Sequence, residues 1–188
     1  MSIKSFQDYY PDELSHCYGC GTSNDQGHQL KSFWLNEFLE TSEHETKDAI
    51  YALLNNKQTH NNSLEQTISV FEPSAKHTAI PGFVYGGLLA SLIDCHGTGS
   101  ASAMSYRYAN REIGSKPVMR FVTAGLNIRY LAPTPQGVPL ILMGNYVEVK
   151  ERKIVVDILV YANNTLCVSG QVVAVLMPDT MMNTTKAE

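Results

Sequence analysis

The sequence predicts an α+β domain in which one long apolar helix precedes a run of antiparallel strands. Three observations predict it. The stretch PGFVYGGLLASLIDCHGTGSA, residues 81–101, carries Leu88, Leu89, Leu92 and Ile93 at helical spacing. The stretch 118–131 alternates apolar and polar residues, as a half-buried strand does. Three more β-type segments follow at 140–150, 153–162 and 165–177, and the pairs Glu151-Arg152 and Asn163-Asn164 between them are short enough for hairpins. A curved sheet wrapped around a single helix buries both at once.

The elements follow in order. Residues 1–27 read as an irregular N-terminal extension, punctuated by Pro11, Gly19, Gly21 and Gly27. HQLKSFWLNEFL, 28–39, mixes apolar and polar residues and reads as a first strand, with a second at 46–54. The Asn-rich segment 55–66, NNKQTHNNSLEQ, reads as an inserted polar loop, and TISVF, 67–71, as a short strand. An irregular approach, 73–84, leads to the helix, which starts after Tyr85. Gly97, Gly99, Ser100, Ala101 and Ala103 predict very close packing against it, since an interior glycine otherwise destabilises a helix by about 1 kcal/mol. SYRYANREIGSK, 105–116, reads as a polar connection. In the next strand Val122, Ala124, Leu126, Ile128 and Tyr130 are expected on one face, and Thr123, Gly125, Asn127 and Arg129 on the other. APTPQG, 132–137, is a turn. The whole of 1–188 suits one domain and can bury a sizeable core.

Composition narrows the function. The chain is 44% hydrophobic and 17% charged, its formal net charge is −4, and its 14 Lys and Arg are scattered. That argues against a nucleic-acid surface and a polybasic membrane anchor. The first residues lack the apolar stretch of a signal peptide, and no run approaches the ~18 apolar residues of a membrane span. Cys17, Cys20, Cys95 and Cys167 form no disulfide framework, so reduced thiols and a cytoplasmic location are expected. Cys17-x-x-Cys20, flanked by His16 and His28, is half of a zinc or redox motif; without a second pair, no metal is expected. No His-Asp constellation supports Cys95 as a nucleophile, and packing is the simpler reading of His96.

The chemistry centres on Asp94, a carboxylate inside the most apolar helix. A paired structural acid is one reading. The other comes from Gly86-Gly87 at the helix start, where backbone N–H groups are free and the dipole is positive. Without Cβ atoms these glycines let a ligand oxygen approach, as in an oxyanion hole. Asp94 lies seven residues after Gly87, nearly on the same face but about 10 Å along the axis. That is too far for both to act on one carbonyl, so a two-fold dimer is expected to bring the donors of one chain to the acid of its mate.

PGFVYGGLLASLID resembles the helix-start motif of the hot-dog-fold acyl-CoA thioesterases of the phenylacetyl-CoA (PaaI) type, roughly His-Gly-Gly, six residues, then Asp. FVTAGLNIRYLAPTPQG looks like the strand that follows in that family, and CYGCGTSNDQGHQLKSFW like its opening segment. The resemblance implies a hot-dog fold and hydrolysis of acyl-CoA to free acid and CoA, in a dimer or tetramer. Asp94 would be general base or nucleophile, Gly86 and Gly87 the oxyanion donors, and Thr123 the residue near the acid. Tyr85 stands where the common motif has His, and a phenol cannot serve as base at neutral pH. Tyr85, His77, Asn127 and Arg129 are the substrate-binding candidates, Arg129 for the phosphates of CoA together with Arg152 and Lys153. No cofactor is expected beyond the CoA of the substrate. The same fold also admits a non-catalytic acyl-CoA sensor, which Tyr85 favours, and a dehydratase, whose His-to-acid spacing the His77–Asp94 interval exceeds.

Overall fold

The computed structural model describes residues 3–55 and 65–182. In chain order the elements are β1 (Phe33–Trp34), α1 (Leu35–Thr41), α2 (His44–Asn55), β2 (Thr67–Phe71), α3 (Gly86–Tyr108), β3 (Phe121–Tyr130), β4 (Leu140–Lys150), β5 (Lys153–Ala162), β6 (Thr165–Leu176) and α4 (Asp179–Met182). The strands form one antiparallel sheet in the order β1-β2-β4-β5-β6-β3, so β3 is an edge strand ten residues long. The expected helix and the strands from β2 onward are present, as is the hot-dog arrangement of a long helix against an antiparallel sheet.

Two expected strands are corrected. Segment 28–39 contributes only Phe33–Trp34 as strand before turning into α1, and 46–54 lies within α2. In α1, Leu35, Phe38 and Leu39 fall at i, i+3 and i+4; in α2, Ile50, Leu53 and Leu54 do the same. Short apolar runs fit either period, and burial decided: Leu35, Ile50 and Leu53 pack with Ile68, Met143 and Tyr161 in a second core. Both helices thus cover part of the outer face of the sheet. The central helix also runs further than expected, to Tyr108, so the polar connection begins after it. Of the inserted loop, residues 56–64 lie outside the described residues.

The sheet sorts its residues by alternation. Leu140 and Leu142 face α3, while Ile141 and Met143 face α1 and α2. Ile154, Val156, Ile158 and Val160 of β5, with Val168, Val172 and Ala174 of β6, complete the wall against α3. Every residue from Cys95 to Tyr106 is buried, so α3 has no solvent face over three turns. Its glycines make that enclosure possible. A Cβ at Gly97 would lie 2.5 Å from a Val172 methyl, and one at Gly99 would lie 2.7 Å from the Gln7 amide nitrogen. The sheet closes on one side and the N-terminal segment on the other, where Phe6 packs edge-on to Trp34.

The polar side of α3 is satisfied internally. His96 Nδ1 meets Ser32 Oγ at 3.0 Å and its Nε2 meets Thr67 Oγ1 at 3.3 Å, while Thr67 Oγ1 meets Ser100 Oγ at 2.7 Å. Gln7 extends the chain through Ser32. Burial pushes the His96 imidazole down to about 3, so it stays neutral. His96 is a packing residue on the side of α3 away from Asp94.

Candidate active site

Asp94 is half-buried on α3, and Thr123 of β3 donates its hydroxyl hydrogen to Asp94 Oδ1. A β-bulge makes this possible. Thr123 pairs with Ala174 and Gly125 with Val173, leaving Ala124 as the extra residue. The bulge flips the alternation, so Thr123 shares the α3 side with Leu126, Ile128 and Tyr130. The strict alternation read from the sequence, which set Thr123 beside Asn127 and Arg129, is corrected accordingly.

Burial raises the Asp94 carboxyl above its ordinary range; the Thr123 hydroxyl pulls the other way by stabilising the anion. The balance leaves an acid that ionises at higher pH than a surface aspartate. That is a property of a general base, whose efficiency grows as its pKa nears the working pH.

The start of α3 is built from Tyr85, Gly86 and Gly87. Tyr85 holds the N-cap position with extended backbone, and its N–H donates to the His77 carbonyl at 3.1 Å. The Leu88 N–H turns back to the Tyr85 carbonyl at 3.2 Å, whereas neither the Gly86 nor the Gly87 N–H meets an acceptor among the described residues. Two tyrosine rings pack against this turn, over the two glycines. The Tyr85 ring lies where a Gly87 side chain would stand, and the Tyr130 hydroxyl donates to the Gly86 carbonyl at 2.9 Å. Tyr130 carried no sequence signal beyond its place in an alternating strand. Beside it opens an apolar cleft of about 470 Å³ lined by Ile80, Phe83, Gly86, Leu89, Tyr130 and Leu131, among others.

The remaining candidates divide. His77 is buried at the end of a 3-10 turn (Ala75–His77), its Nδ1 accepting the Ser74 N–H at 3.1 Å and its ring packed against His28 and Phe71. Burial first, and Lys76 second, lower its pKa. It braces the helix start through its carbonyl. Asn127 and Arg129 lie on the outer face of the sheet, in a shallow cleft with Asp157, Ser169 and Gln171, and are not brought together with Asp94. Lys153 is engaged by Glu148 at 2.7 Å. One neighbour the sequence did not connect is the Cys17-x-x-Cys20 turn, whose sulfurs sit with that of Cys95 beside Asp94.

Comparison with known proteins bears on this geometry. The family described as the Thioesterase superfamily matches residues 81–169, which hold Tyr85, Gly86, Gly87, Asp94 and Thr123. A solved Thioesterase superfamily protein from Shewanella loihica PV-4 is 46% identical, with 89% of this chain and 98% of that chain covered and a TM-score of 0.57. The chain belongs to the thioesterase superfamily. Two more distant solved structures share the fold: a Streptococcus mutans UA159 protein bound to acetyl-CoA, at 19% identity, 60% and 81% coverage and TM-score 0.50, and the E. coli PaaI protein from the phenylacetic acid degradation operon, at 14% identity, 60% and 73% coverage and TM-score 0.50. Comparison with curated proteins finds no match. Among the described residues, no helix of this thioesterase-superfamily chain is long and apolar enough to cross a membrane.

Proposed function

We propose that the chain hydrolyses an acyl-CoA thioester to the free acid and CoA, in a site shared across a homodimer. The observation that carries this reading is the Thr123–Asp94 hydrogen bond, which sets a raised-pKa carboxylate at the open edge of the sheet. Asp94 takes a proton from water as the oxygen adds to the thioester carbonyl. The N–H groups of Gly86 and Gly87 hold the resulting oxyanion. Collapse breaks the C–S bond, and the proton passes from Asp94 to the departing thiolate. In the nucleophilic variant Asp94 attacks the carbonyl itself, and water then cleaves the mixed anhydride. After a single turnover in heavy-oxygen water, label found in Asp94 by mass spectrometry identifies the nucleophilic route, with the anhydride opened at the Asp94 carbon.

The shared site rests on geometry. Asp94 and the Gly87 N–H are about 10 Å apart along one helix, too far to serve one carbonyl. The edge strand β3, with Leu126 and Tyr130 each more than 40% exposed, offers a row of backbone groups for a second copy to pair with. Joining two β3 edges brings each Asp94 toward the other chain's helix start; a tetramer would pair two such dimers. The apolar cleft beside Gly86 suits the acyl group, and the acetyl-CoA held by the Streptococcus mutans relative supports a CoA thioester as ligand. No step requires a cofactor, CoA entering as part of the substrate. Four free thiols suit a reducing compartment such as the cytoplasm.

A panel of short, long and aromatic acyl-CoAs, followed by release of free thiol, tests the reading. Turnover of at least one that is lost in Asp94→Asn supports it. Binding of several with turnover of none would replace it with an acyl-CoA sensor, the reading that Tyr85 favours by standing where the family motif carries His.

A further inference from the structure

The sequence offers half a metal motif; the fold supplies a third thiol. Cys17, Cys20 and Cys95 place their sulfur atoms within 4.8 Å of one another, and Cys17 Sγ and Cys95 Sγ are 3.7 Å apart. Four thiolates held tetrahedrally at the zinc–sulfur distance of about 2.3 Å lie about 3.8 Å from each other, so the Cys17–Cys95 spacing is that of two ligands around one ion. It is too long for a disulfide, whose sulfurs are about 2.05 Å apart.

The turn is built to present thiolates. The Gly21 N–H closes it onto the Cys17 carbonyl at 2.7 Å, and the Ser23 N–H ties its base to Ser15 at 3.0 Å. Gly19 lies flat on α3, where a Cβ would overlap Cys95 Sγ at 2.3 Å. Counter-charge is also at hand. Arg120 reaches Cys20, its guanidinium stacks 3.7 Å over the Tyr10 ring, and its Nη1 is buried with no hydrogen-bond partner among the described residues. Three thiolates around a divalent cation carry one net negative charge, which a buried arginine offsets.

We propose that Cys17, Cys20 and Cys95 bind one soft divalent metal ion of the zinc class, pinning the N-terminal segment to α3 at the residue next to Asp94. Three protein ligands leave a fourth position for water or another small donor. Cys17 is exposed and Cys20 and Cys95 are buried, so the ion enters from the Cys17 side. The site is separate from thioester hydrolysis, and either can fail without the other.

The test uses the full chain, reduced and handled without oxygen, mixed with zinc or cobalt and then desalted. About one metal ion per chain is expected, with thiolate-to-cobalt charge transfer and tetrahedral d–d bands in the cobalt form. Cys17→Ser, Cys20→Ser and Cys95→Ser are each expected to weaken binding more than about 100-fold, beyond the effect of an outer-shell change, and Cys167→Ser to leave it intact. Should Cys95→Ser fail to fold, exposed Cys17 still decides: chelator is expected to lower the melting temperature of the wild type and not that of Cys17→Ser. A reduced wild-type chain that retains no metal, or a Cys17→Ser variant that retains it as the wild type does, overturns the proposal.

Discussion

Thr123 on the outermost strand donates a hydrogen bond to Asp94 on the central helix, and a single extra residue, Ala124, turns it to that side. One bulge thereby joins the sheet edge, through which a second copy would pair, to the acid that would do the chemistry.

Asp94→Asn keeps the shape and removes the proposed base. kcat is expected to fall about 100-fold or more with KM little changed, because the group acts in the transition state. The pH dependence has a defined sign. The folded carboxyl titrates above its unfolded value, so its favourable contribution to stability is complete below the unfolded pKa and is lost as pH rises through the folded one. At neutral pH the variant is therefore expected to melt higher than the wild type, with the difference vanishing in acid. Thermal melts from acid to neutral pH check this, and a variant of wild-type kcat would remove Asp94 from catalysis.

Thr123→Val deletes the donor that holds the Asp94 anion. Activity is expected to drop about tenfold, and the acidic limb of kcat/KM to move to higher pH, since the lost hydrogen bond had favoured ionisation. Thr123→Ser is expected to restore both. An unmoved limb in Thr123→Val would reduce this contact to packing.

Much of this architecture was legible in the sequence. The span from 67 onward reads cleanly because its strands alternate and end at two-residue turns, and GG-x6-D marks the helix start. Residues 28–54 read poorly because α1 and α2 carry apolar runs too short to fix a period; only contact with Ile68 and Met143 makes them helices. The Thr123 side was misassigned because a bulge leaves no mark on an alternating string. Cys95 could not be joined to Cys17 from spacing, since 78 residues separate them and only the packing of Gly19 on α3 brings them together.

Tyr85→Phe and Tyr130→Phe are expected to differ. The Tyr85 ring packs over Gly87, and in the proposed mechanism the Gly86 and Gly87 N–H groups are the oxyanion donors, so loss of its hydroxyl is expected to change kcat/KM by under about 0.5 kcal/mol. Loss of the Tyr130 hydroxyl breaks the bond to the Gly86 carbonyl and is expected to cost about 1 kcal/mol in urea unfolding. A hundredfold drop in kcat/KM for folded Tyr85→Phe would instead make its hydroxyl an oxyanion donor.

Leu126→Lys places a charge on the β3 edge, where the side chain is 42% exposed. Light scattering is expected to give at least twice the 20.8 kDa chain mass for the wild type and about the chain mass for the variant, with activity lost in step. A wild-type monomer that hydrolyses acyl-CoA would sink the shared site.

Among the described residues β3 pairs only with β6, so residues 121–130 find their place through residues 165–176. A chain leaving the ribosome therefore exposes its central helix, with the acid already on it, well before the strand carrying Thr123 has anything to dock on. Asp94 acquires its partner only after nearly the last strand residue has been made. A message truncated before β6 would yield a helix with an unguarded carboxylate and a loose apolar strand, a product for quality control and not a weak enzyme.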